Sequence, residues 1–293
     1  MDFRDDVDLD TSQVEDRGGG GLSRGGIAIG GGAIGIVALV VALVTGVDPS
    51  ALFGGGEAPA VDQGRPATDL SEQCTKGSDA DQSEKCRVVG VVNSVQRYWR
   101  DAFTERAKES YDDARTVLFS GSTRSGCGQA DSAVGPFYCP ADRRVYLDLG
   151  FFTDLQQRFG AEGGPFAQAY VIAHEYGHHV QNLTGAMRRV GDDRQGAASG
   201  SVRLELQADC YAGVWAKNAV DTGFYDKPFT SGDIRQALDA AAAVGDDRIQ
   251  ERTQGRVDPE GWTHGSAEQR VQWFTVGYQT GDPGRCDTFS GDI

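Results

Sequence analysis

The sequence predicts an α+β fold, mostly helical with one small sheet, preceded by a single apolar segment. Three observations carry that expectation. Apolar residues recur every three or four positions in several long stretches, the mark of amphipathic helices. Arg144 to Leu149 alternates polar and apolar side chains and is rich in strand formers. Gly25 to Val47 runs without a charge between Arg24 and Asp48, long enough to cross a hydrocarbon core of about 30 Å as a helix.

Taken from the start of the chain, residues 1–24 are acidic, end in glycines and hold few apolar groups, which reads as a disordered cytoplasmic tail. Residues 25–47 read as one transmembrane helix, its glycines tolerated because lipid penalises unmade backbone hydrogen bonds. A cleaved signal peptide fits less well, since the region before the apolar run is acidic and the run is long. Arg17 and Arg24 before it, with Asp48 and Glu57 after it, favour an N terminus inside and a domain outside the cell membrane. Residues 48–70, with Gly54, Pro59 and Pro66, read as a flexible linker, and 71–293 as the folded domain.

Within that domain Val88, Val91, Val92, Val95, Tyr98, Trp99 and Phe103 define one face of a helix over about 82–108. Gly126 to Tyr138 reads as a cysteine-flanked loop ahead of the strand around Val145. Gly163-Gly164-Pro165 opens a second long helix, and Gly185 offers its stop. A third covers about 201–220, an alanine-rich one about 232–244, and a last opens at Ser266 with Gln269 three residues on, a capping box.

A net charge of -15 and the lack of any Lys/Arg-rich run exclude a nucleic-acid partner, whose phosphates demand basic patches. Six cysteines, none in a C-x-x-C pair, argue against a zinc finger. Cys74 with Cys86 and Cys127 with Cys139 each bracket a short polar loop suited to a local disulfide, which leaves Cys210 for Cys286; reduced, buried cysteines are the other reading. Oxidised pairs place the domain outside the cytosol.

The chemistry concentrates in His174-Glu175-Tyr176-Gly177-His178. On a helix two histidines four apart project from one face and can share a Zn²⁺ ion, with the intervening glutamate beside the metal as a base. A surface helix with two satisfied histidines is the bland reading. A catalytic zinc takes three protein ligands and keeps a place for water. The metzincin extension needs glycine at 181 and histidine at 184, where this chain has Gln181 and Thr184. On the next helix Glu205 and Asp209 stand four apart among apolar residues, the gluzincin arrangement: Glu205 as third ligand, Asp209 accepting from the far nitrogen of a ligating histidine. Without those neighbours an acid pair is usually a solvated face. His264, in a loop before the last helix, is the candidate second electrophile for a carbonyl oxygen, against the reading of a loop histidine with no role. His179 points elsewhere round the helix and reads as structural. Gly177 in mid-helix implies a close neighbour on that face, for which the strand around Val145 is the candidate; in zincins such a strand also offers a free edge to an extended peptide.

Four ordered stretches, YCPADRRVYLD (138–148), HEYGHHVQ (174–181), LELQADCYAGVWA (204–216) and THGSAEQRVQWF (263–274), together resemble the bacterial neutral zinc metallopeptidases of the YpfJ-like family. The resemblance covers about 70–290 and includes a single N-terminal membrane helix. It implies a zincin-like fold, His174 and His178 as zinc ligands, Glu175 as catalytic base and Glu205 as third ligand. The leading expectation is thus a membrane-anchored zinc metallopeptidase, most simply an endopeptidase, acting on a peptide or protein substrate. Its rival is a non-enzymatic envelope protein whose zinc braces the fold and whose cleft binds a partner. Glu175 separates the two, since a structural site has no need of a carboxylate between its histidines. A zinc hydrolase acting on a non-peptide bond is the third reading.

Overall fold

The computed structural model describes residues 1–19, 69–107 and 110–293. Val14–Gly19 forms strand β1. Two short helices, α1 (Leu70–Gln73) and α2 (Gly77–Gln82), lead into α3 (Glu84–Ala102), which Ser83 caps by accepting from the Cys86 N–H. Strands β2 (Arg115–Ser120), β3 (Ser122–Ser125), β4 (Gly128–Asp131), β5 (Phe137–Cys139) and β6 (Arg144–Asp148) follow. The rest is helical: α4 (Gly150–Gln157), α5 (Pro165–Thr184), α6 (Gly200–Asn218), α7 (Ser231–Ala243), α8 (Asp246–Gln254) and α9 (Ala267–Thr280).

The sheet has the order β1-β2-β6-β5, with β1, β2 and β6 parallel and β5 antiparallel at the edge. One face carries Leu118, Val145, Leu147 and Tyr138 into the main core with α3 and α5; the other buries Val117, Phe119, Phe137 and Tyr146 under Ala130 of the β3–β4 hairpin. Being covered on both faces, β2 shows a continuous apolar run, Val117 to Phe119, instead of alternation. The stretch expected as a cysteine-flanked loop holds β4 and β5.

Helix boundaries follow local chemistry. Pro165 opens α5 at its first turn and Gly185, at φ 77°, ends it in the left-handed region. Ser266 and Gln269 close a capping box at the start of α9. Helices α6 and α9 pack backbone to backbone: a Cβ on Gly213 would lie 2.1 Å from the Phe274 carbonyl oxygen, and one on Gly277 2.0 Å from that of Cys210. Three disulfides form, Cys74–Cys86, Cys127–Cys139 and Cys210–Cys286.

The α+β class holds, but the arrangement of a tail, one membrane span and a separate domain does not. Residues 1–19, expected as part of a disordered tail, belong to the fold. Phe3, Leu9 and Val14 are buried in the main core, Arg4 N–H donates to the Phe224 carbonyl at 2.9 Å, Asp10 N–H donates to Asn93 at 2.8 Å, and β1 pairs with β2 from Val14↔Thr116 onward. A disordered tail over residues 1–19 is therefore overturned. The expected transmembrane helix, 25–47, and most of the linker, 48–68, lie outside the described residues; among the described residues no helix is long and apolar enough to cross a membrane. Leu70, placed at the end of the linker, is buried in α1.

Phe3 is 4 % exposed and its ring lies 4.7 Å from that of Tyr225. Phe3→Ala should therefore destabilise the oxidised full-length chain by about 3 kcal/mol in denaturant unfolding. An unchanged midpoint would detach the N-terminal segment from the fold.

Candidate metal centre

Helices α5 and α6 cross where Gly177 meets Ala208. A Cβ on Gly177 would lie 3.0 Å from the Ala208 Cα and 3.1 Å from its carbonyl oxygen. The close neighbour of Gly177 is thus α6, not the strand around Val145. Because both residues are small, the side chains flanking them converge: His174 and His178 from one helix, Glu205 and Asp209 from the other. His174 Nε2 lies 3.2 Å from Glu205 Oε2, and His178 Nε2 3.4 Å from Glu205 Oε1. The donor atoms of these three residues lie within 4.8 Å of one another.

The donor set fits zinc. Bonds of about 2.1 Å in a tetrahedron place donors about 3.4 Å apart, which the two histidine–glutamate separations match. Each imidazole also presents the right nitrogen. His174 Nδ1 lies 2.8 Å from Asp209 Oδ1, and a carboxylate there accepts only, so Nδ1 carries the proton and Nε2 the free lone pair. His178 Nδ1 is held likewise by Gln181 Oε1 at 2.8 Å, while the Gln181 amide donates to the Leu204 carbonyl and to Gln207. Burial opposes charge on His174, but Asp209 and the hydrogen bonds to Asp209 and Glu205 push its pKa up to about 10. The pocket stabilises a cation at that place, and a divalent ion competes for the same lone pair.

Asp209 is fully buried and accepts four hydrogen bonds: from Tyr170 Oη at 2.5 Å, His174 Nδ1 at 2.8 Å, Arg270 Nε at 2.8 Å and Arg270 Nη2 at 3.0 Å. Burial works against its charge, yet Arg270 and His174 outweigh it and hold the carboxyl below its usual range. Glu175 is buried at the cleft wall and makes no hydrogen bond or ion pair among the described residues; burial raises its pKa, with the two histidines opposing. His179 turns away, its Nδ1 towards Tyr138 Oη at 3.0 Å and its Nε2 towards the Asp112 carbonyl at 2.6 Å.

His264 lines the same cleft. Its Nδ1 faces Asp246 Oδ1 at 3.3 Å and Thr263 Oγ1 at 2.9 Å. The other oxygen of Asp246 accepts the backbone N–H groups of Thr263, His264 and Gly265 at 2.7, 2.7 and 3.1 Å, which shapes the turn carrying the histidine. Burial opposes protonation of His264, but Asp246 and then Glu205 raise its pKa above the ordinary value. The cleft has a volume of about 650 Å³, and β5 lies along it through Phe137 and Tyr138. Strand β6, which holds Val145, is interior, between β2 and β5; the edge strand on the cleft side is β5.

A family profile described as "Putative neutral zinc metallopeptidase" matches residues 3–289. The chain belongs to this family. The chain is similar to the uncharacterized protein Rv2575 of Mycobacterium tuberculosis, 53 % identical over 255 residues covering 85 % of each chain. The uncharacterized protein YpfJ of Escherichia coli K12 is 39 % identical over 294 residues, 97 % of this chain and 98 % of the relative. No solved structure matches the chain significantly. Membership in a zinc metallopeptidase family agrees with a donor set of two histidines and a glutamate.

Sequence reasoning missed Tyr170, Gln181, Asp246 and Arg270. Tyr170 and Gln181 stand four residues before His174 and three after His178, on the same face of α5, so helical spacing could have found them. Arg270 shares a helical face with Phe274, an unusual place for a lone charge. Asp246 left no local signal, since its partner is eighteen residues away.

Metal analysis should find that Glu205→Ala loses zinc, whereas Asp209→Ala and Gln181→Leu weaken affinity by about 10 to 100-fold. Arg270→Met leaves the buried Asp209 charge with only the hydrogen bonds from Tyr170 and His174, so it should cost about 3–5 kcal/mol of stability, and adding Asp209→Leu should recover part of that loss in a double-mutant cycle.

Proposed function

We propose that this chain is a zinc-dependent endopeptidase. The observation that carries the reading is Glu175: a buried carboxylate without a hydrogen-bond or ion-pair partner among the described residues, set between two zinc-type histidines at the wall of a cleft. A metal that only braced a fold would leave such a group no task.

His174, His178 and Glu205 would hold the ion. When bound there, zinc lowers the pKa of a water molecule towards neutrality and polarises the scissile carbonyl. Glu175, its own pKa raised by burial, takes the proton from the water and delivers it to the leaving amine. His264, held by Asp246, which favours its protonated form, donates to the carbonyl oxygen as negative charge develops on it. The outer edge of β5 offers main-chain hydrogen bonds to an extended peptide, and a cleft lined on both sides of the histidines suits an internal bond. Three disulfides and no free cysteine among the described residues support an oxidising compartment outside the cytosol.

A peptide-library digestion compared with Glu175→Gln tests the activity. The expected outcome is cleavage by the parent protein and none by the variant at equal zinc content; stoichiometric zinc with no cut that the variant spares would sink the proposal. His264→Ala should lower kcat by about 10²–10³ while retaining zinc. For the compartment, protein taken from its native cells should resist thiol labelling until reduced, and six reactive thiols before reduction would refute it.

A further inference from the structure

The charges lining the cleft run against those of the whole chain. The protein carries a net charge of -15, yet outside the metal centre and the pair formed by Asp246 and His264 the charged residues of the cleft wall are Arg158, Arg188, Arg194 and Arg252 against a single Asp154. Asp154 is taken by Arg158 at 3.1 Å. Arg252 donates to the Arg158 backbone carbonyl at 3.4 Å and forms no ion pair among the described residues. Arg188 and Arg194 make no side-chain hydrogen bond or ion pair among the described residues, and Nη1 of Arg194 is buried with no acceptor. Arg188 is exposed at the cleft, but the Nη1 group of Arg194 has left water without gaining an acceptor, which is destabilising, so the cleft is built for an anion that arrives from outside.

Their placement defines where that anion lies. Arg188 and Arg194 belong to the segment between α5 and α6, which leaves α5 at its His178 end. Arg158 lies at the end of α4, ahead of α5, and Arg252 of α8 donates to its carbonyl. Between Val171 and Asn182 the floor of the cleft measures about 16 Å at 1.5 Å per residue, room for about five residues of extended chain. Positive charge thus reaches the cleft from the segments before and after the helix that carries the two histidines. The acidic remainder of the surface is screened beyond about 8 Å at physiological salt, so a short acidic segment inside the cleft feels the arginines, whereas a long nucleic acid would run out over the acidic exterior.

Resting on the peptidase reading, we propose that the cleft selects polypeptide carrying a carboxylate near the cleaved bond, received by Arg188 and Arg194 on the His178 side. The carboxylate is either an acidic side chain or the free end of a chain, and the test separates them.

The full-length Glu175→Gln protein, loaded with zinc, is titrated with labelled peptides of equal length that differ only in Glu, Gln or Lys at the flanking positions, each with a free or an amidated C terminus. The Glu peptide should bind about tenfold or more tighter than the Gln peptide, with the difference shrinking as salt rises. The Arg188→Ala/Arg194→Ala double variant should bring that ratio close to one. Arg194→Glu should turn the preference towards the Lys peptide, a gain that misfolding cannot produce. A preference that follows the internal glutamate assigns the side-chain carboxylate; one that follows the unblocked terminus assigns the chain end. Equal binding of all peptides, no binding of any, or a preference that survives the double variant overturns the inference. Cleavage by the parent protein without charge preference would overturn it while leaving the peptidase standing, and charge-selective binding without cleavage would do the reverse.

Discussion

Everything in the candidate metal centre depends on how closely α5 and α6 cross at Gly177 and Ala208. A larger side chain at either position would force the helices apart, and Glu205 would withdraw from the two histidines. The cost of a mid-helix glycine, about 1 kcal/mol against alanine, is accepted in return for that approach. The crossing is held from outside by two further contacts: α9 lies against α6 through Gly213 and Gly277, and it brings Arg270 into the core beside Asp209.

That arginine converts a packing arrangement into an electrostatic one. Asp209 must stay charged to fix the tautomer of His174, yet it sits where water cannot reach it. Arg270 and the Tyr170 hydroxyl supply what solvent would have supplied. The network is satisfied on every side, which is the condition under which a buried polar cluster rigidifies a site instead of weakening it. His178 is held by a second, uncharged chain through Gln181 and Gln207 to the Cys286 carbonyl, next to the disulfide that joins Cys286 to α6. The two histidines are therefore oriented by independent supports, one ionic and one amide.

Much of the helical frame was legible in the sequence. Pro165, Gly185, Ser266 and Gln269 are local signals, and the helices begin and end on them. The pairing of the six cysteines followed from proximity in the chain for two bridges and from what remained for the third. The sheet was less legible. Strand β2 reads as a short apolar run because it is buried on both faces, and β1 reads as an acidic tail because Asp16 meets Lys85 of α3 inside the fold instead of water. Helix α4, which lines the cleft, is short and showed no clear period.

The sequence by itself determined what lies within a helical turn or two: that His174 and His178 share a face with Glu175 between them, and that Glu205 and Asp209 share another. Such relations follow from 3.6 residues per turn and need no knowledge of the rest of the chain. Only the tertiary structure decided that Glu205 reaches the histidines, that Arg270 neutralises Asp209, that Asp246 aims His264 into the cleft, and that residues 1–19 complete the sheet. These are contacts between segments tens to hundreds of residues apart. No local period encodes them, because they are set by which faces can be buried against one another once the helices and strands have formed.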